Sequence, residues 1–120
     1  MFGHFEEIIM AKLNTVNSAY KIYFEEAPTN ANYPYGVVPN LSYRPLDYGY
    51  ECNLDIEFYV NELSTQDIDT LCDDLRTKID AFSYRDSLIG FHIYYDDQTL
   101  SKQKEQDFTY RRISFIARIF

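Results

Sequence analysis

Three carboxylates alternate within ECNLDIEFYVN, residues 51–61. In any strand built from that stretch Glu51, Asp55 and Glu57 share one side with Asn53 and Tyr59, while Cys52, Leu54, Ile56, Phe58 and Val60 share the other. Neighbouring carboxylates can do acid–base work, but only where their surroundings separate their pKa values, usually in a pocket. An open sheet face treats them alike, so solvation or a contact surface is the expectation for this row. The other residues capable of chemistry are few. His4 and His92 are far apart in the chain, no Cys-x-x-Cys or His-x-x-x-His spacing occurs, and Asp96-Asp97 is not followed by the ligand ladder of a calcium loop. The four glycines include no glycine-rich turn feeding a helix. Cys52 and Cys72 sit on apolar faces and read as small reduced core residues, with pairing left open. No catalytic, metal or cofactor site is expected. An enzyme would need a closed pocket around a buried carboxylate or His92.

The elements that would carry these residues follow from periodicity. Phe5, Ile8, Ile9, Leu13 and Val16 recur at helical spacing, predicting a helix over 3–15 with Glu6 and Glu7 in its first turn. Residues 20–24 alternate as a short strand, and EEAPTNANYPYG reads as a loop. Tyr35 to Leu41 form a further strand that Pro39 demotes to an edge or a bulge, and residues 44–49 a turn. After Leu63 the period changes from 2 to 3.6. Ser64 is a suitable N-cap, and Ile68, Leu71, Cys72, Leu75, Ile79 and Phe82 make one stripe of a second helix. Two strands close the chain, residues 90–95 and 107–120. In the last, Ile113, Phe115, Ala117 and Ile119 oppose Tyr110, Arg112, Ser114, Ile116 and Arg118. The polar stretch from Asp96 to Asp107 is expected to be a mobile excursion.

This order, α-β-β-β-α-β-β, predicts a single α+β domain over 1–120. Its antiparallel sheet has about four to five strands, with both helices on one face. The row Glu51, Asp55 and Glu57 then lies on the opposite face, where Arg112 and Arg118 can stand across from it. At 120 residues, 46% hydrophobic, the chain can bury one core. The 12 tyrosines favour half-buried sheet edges and contacts between proteins. A net charge of −8 argues against a surface that grips phosphate backbone. The N-terminal segment lacks the basic and apolar regions of a signal peptide, and no apolar run approaches a membrane span.

The stretch YPYGVVPNLSYRPLDYGYECNLDIEFYVNELSTQDIDTLCDDLRTKIDAF, preceded by a short helix and followed by DFTYRRISFIARIF, resembles the small tail-completion, head–tail connector and tail-terminator proteins of tailed bacteriophages. The resemblance implies a structural protein of a phage or prophage, assembled in the bacterial host cytoplasm and resident in the virion tail or neck. It would bind itself, often as a six-membered ring, together with tail-tube or neck proteins, while DNA passes without specific binding. It implies no enzymatic activity and no cofactor. On this view Glu51, Asp55 and Glu57, with Arg112 and Arg118, line a channel or a subunit interface. Two segments would dock onto the tube or a neighbour: the loop holding Tyr33 and Tyr35, and the excursion holding Asp96, Asp97, Lys102 and Lys104. The alternatives from the residues alone are an acidic adaptor or DNA-imitating inhibitor, and a small enzyme.

Overall fold

A computed structural model describes residues 2–16, 20–32, 35–61, 65–103 and 108–120. Helices α1 (Phe2–Val16) and α2 (Thr65–Ile79) accompany seven strands: β1 (Lys21–Phe24), β2 (Tyr35–Val38), β3 (Tyr43–Leu46), β4 (Gly49–Asn61), β5 (Ser83–Arg85), β6 (Gly90–Gln103) and β7 (Phe108–Ile119). They form one sheet in the order β1-β2-β4-β7-β6-β5, with β3 also paired to β4.

The alternation read from the sequence places the core. Register sets Cys52 opposite Ala117, Leu54 opposite Phe115 and Ile56 opposite Ile113, and all six are fully buried. Both helices lie on this inner face, α1 through Phe5, Ile9, Leu13 and Val16 and α2 through Leu71, Cys72, Leu75 and Ile79. Each such side chain taken out of water contributes about 1.5–3 kcal/mol before entropy is counted. α1 is docked at its C-terminal end by Asn14, whose amide donates to Met10 O and Ile22 O and accepts from Ile22 N. That helix therefore continues through Val16 rather than ending at 15. Glu6 falls beyond its first turn and accepts instead from the Tyr43 hydroxyl at 2.8 Å.

The sheet has more strands than the four or five expected, and it is not wholly antiparallel. β1 and β2 run parallel, joined by a connection that turns at Glu25 (φ 69°), where Glu25 N donates to Val38 O at 2.7 Å. β2 stops at Val38, short of Leu41, because Pro39 has no N–H to offer the ladder. The expected turn over 44–49 is in fact β3, a two-residue Asp47-Tyr48 turn, and the start of β4. Pro45 is tolerated there because β3 is an edge strand.

The largest correction concerns the excursion expected over 96–107. Residues through Gln103 belong to β6 and pair with β7 as far as Gln103↔Phe108. Polar side chains do not prevent a strand when a long neighbour supplies the ladder, and β7 is also paired to β4 along its whole length. Asp96, Asp97 and Lys102 are therefore strand residues rather than loop residues, and Tyr35 lies in β2 rather than in a loop. Tyr33, Ser64 and Lys104, and the side chains of Ile68 and Lys102, lie outside the described residues. A β-bulge between Tyr95 and Asp97 interrupts β6.

Two glycines mark close approaches. At Gly49 the φ is +152°, and an added Cβ would stand 2.2 Å from Ile119 O. Gly36 lies under the Phe58 ring, whose Cε1 would be 2.6 Å from a Cβ.

Candidate functional site

The sheet face away from the helices carries every residue of the carboxylate row. Register aligns Glu51 with Arg118, Asp55 with Ser114 and Glu57 with Arg112 across β4 and β7, then Arg118 with His92 and Ser114 with Asp97 across β7 and β6. The row and the two arginines are thus interleaved, so the face alternates in sign rather than being uniformly negative.

Glu51 is the best-held member. Arg44 of β3 donates to it at 2.6 Å and Arg118 Nε stands 3.8 Å from its other oxygen. Arg118 also lies over the Tyr94 ring at 5.9 Å. Arg44 is 70% exposed, so this cross-strand group is worth no more than about 1 kcal/mol per pair. Arg44 was hidden from sequence reasoning because its segment resembles a turn. Among the described residues, Asp55 and Glu57 form no ion pair. The Tyr59 hydroxyl donates to Glu57 at 3.4 Å, and Arg112 Nε, buried opposite Glu57, has no hydrogen-bond partner among the described residues.

Beside Glu57 a row of tyrosines crosses three strands. Tyr23 meets Tyr35 at 6.2 Å between ring centroids, and Tyr35 stacks on Tyr59 at 5.3 Å. Burial, reinforced by Glu57, raises the Tyr59 pKa, so its hydroxyl stays protonated. The composition signalled tyrosine at sheet surfaces, but only the register of β1, β2 and β4 assembles this row.

Two polar clusters lie elsewhere. Asp86, after β5, accepts from His4 Nε2 at 2.7 Å, the Tyr84 hydroxyl at 2.9 Å, and the backbone N–H groups of Leu88 and Ile89. These donors, His4 foremost, hold its carboxyl well below the usual carboxylate range. Arg111, buried on the inner face, is paired with Asp69 of α2.

One contact joins a hydroxyl to an imidazole. Ser83 Oγ contacts His92 Nδ1, yet the residue across from His92 on β7 is Arg118, a cation where a triad places a carboxylate. That contact lies in an open groove with Tyr84, Arg85, Gly90, Phe91 and Phe120. Among the described residues no three metal-ligating side chains converge. Both cysteines are free. Burial pushes the Cys52 thiol up to about 12 and the Cys72 thiol to about 11, the latter tempered by Arg111. No described helix is long and apolar enough to cross a membrane.

No family model matches this sequence, and no curated protein matches it either. Among solved structures the fold is similar to a chain of a "Virion of native gene transfer agent (GTA) particle", with a TM-score of 0.61 at 10% identity. The match covers 89% of this chain and 83% of that one. At that identity the likeness defines a shared α+β fold.

Proposed function

We propose that this chain is a structural protein of a phage or phage-like particle that completes or terminates the tail tube and joins it to the head, working as a ring of identical subunits without enzymatic activity. The observation that carries this reading is the fold likeness to a virion chain across most of both molecules. It agrees with the independent resemblance of residues 33–82 and 107–120 to tail-completion proteins. An open sheet face with interleaved charges and a tyrosine row suits contact with other proteins. The same interleaving weighs against a DNA-imitating inhibitor, which needs carboxylates arrayed over a continuous surface.

On this reading Glu51 is neutralised by its own arginines, and Asp55 and Glu57 carry the free negative charge of a channel wall or a subunit contact. Light scattering during size-exclusion chromatography over a range of concentrations, alone and with isolated tail tubes, tests the reading. A discrete species near six subunits, or rings capping the tubes in electron micrographs, is expected. A chain that stays small at every concentration and ignores tube ends would end the proposal.

A further inference from the structure

Among the described residues, one stretch of sheet edge stands out as uncovered. On β1, the Asn14 amide occupies both the N–H and the C=O of Ile22 in place of a neighbouring strand residue. On β3, Pro45 removes a donor. Between them, residues 39–42 run beside β4 from the end of β2 to the start of β3. On the far side β5 covers Gly90, Phe91 and His92. Beyond β5, Ile93 exchanges bonds with Phe82 O and Ala81 N, and Tyr95 N donates to Asp80 Oδ1 at 2.8 Å. From Asp96 to Gln103 no described strand lies outside β6.

Which groups that edge presents follows from the ladder. Gly90 and Phe120 exchange backbone bonds, so the even-numbered residues of β7 face β6. Ser114 is one of them and its partner is Asp97. Past the bulge, therefore, Asp97, Thr99, Ser101 and Gln103 bond to β7, and the N–H and C=O of Gln98, Leu100 and Lys102 point outward.

The geometry points to a second copy of this chain as the occupant, paired antiparallel through β6 about a two-fold axis at Leu100, so that the two sheets become one. The copy's own matching edge is the same segment, which makes the contact self-complementary. The charge order agrees. Acidic residues lead the segment at Asp96 and Asp97 and Lys102 follows, so antiparallel pairing sets Gln98 against Lys102 and brings acidic ends toward basic ends. Parallel pairing would set like against like. This dimer is independent of the virion reading: a two-fold contact is self-complementary, whereas neighbours in a cyclic ring meet head to tail, so the dimer would join two rings or two free chains rather than close one ring.

The test uses the full chain. Leu100→Cys, oxidised under native conditions, forms a covalent dimer of twice 14.3 kDa, whereas Thr77→Cys on the exposed side of α2 does not. Gln98→Pro removes an outward N–H and no bond to β7, and abolishes the crosslink when added to Leu100→Cys. Lys102→Asp leaves the backbone intact and lowers the crosslinking rate several-fold, which covers the case of a proline variant that fails to fold. Failure of Leu100→Cys to crosslink, or crosslinking unaffected by both second substitutions, overturns the proposal. A six-subunit mass without the Leu100 crosslink would reject the edge and keep the ring. The crosslink with a mass of two subunits at all concentrations would do the reverse.

Discussion

Replacing Gly49 by alanine separates two uses of glycine in this chain. The residue opens β4 with φ +152°, a backbone setting nearly closed to other residues, which costs about 2 kcal/mol once a Cβ is present. The same Cβ would stand 2.2 Å from Ile119 O, where real ones do not come within 3.0 Å. The β4–β7 ladder must then part at Tyr50↔Ile119, weakening a hydrogen bond worth about 1 kcal/mol. The sum is about 3 kcal/mol. With an unfolding entropy of about 250 cal/mol/K for a chain of 120 residues, that lowers Tm by about 12 °C. Gly3 in α1 has nothing within 4 Å of an added Cβ, so Gly3→Ala should leave Tm unchanged or raise it by a degree or two. Calorimetry on the two variants is the assay. A Gly49→Ala protein melting within 2 °C of wild type would refute the strain and clash together.

Two further outcomes follow from the ionisable groups. The folded-state pKa of Asp86 is depressed, so its stabilisation is present above about pH 4, the ordinary carboxylate range, and is lost as pH falls below it. Asp86→Asn should lower Tm at neutral pH and flatten its fall in acid, and an unchanged acid limb would contradict the assignment. Cys52 and Cys72 should resist a thiol reagent at pH 8 while the chain is folded and both react in denaturant, because burial raises both thiols far above that pH. Rapid labelling of the folded chain would show that the core opens there.

Much of the layer arrangement was legible because Cys52 to Phe58 and Ile113 to Ile119 alternate cleanly, and the stripe from Leu71 to Ile79 has helical period. The two-faced sheet, the placement of both helices and the outward carboxylates follow from those periods alone. What escaped was set by partners rather than by pattern. β3 and β5 are three or four residues long and exist because longer strands pass beside them. The distal half of β6 is polar and becomes a strand by pairing with β7. The parallel run of β1 beside β2 depends on a backbone turn at Glu25, a residue type that gives no such hint. At the candidate face, Arg112 and Arg118 could be placed opposite the carboxylates from sequence, but Arg44 and the Tyr23, Tyr35 and Tyr59 row required the register.

The bulge in β6 sets the phase of everything after it. Before it, odd-numbered residues such as Phe91 and Ile93 face the core; after it, Asp97, aligned with Ser114, faces out. Asp96 is the spare residue that makes the bulge: without it Tyr95 and Asp97 would pair in plain succession with Phe115 and Ser114, so Asp97 would keep its outward side and the strand would lose only its kink. Past the bulge, chain length works like a reading frame, and a residue gained or lost between Asp97 and Gln103 turns every later side chain to the other face. Related chains that fold alike should accordingly tolerate the loss of one residue at position 96 but not within 97–103.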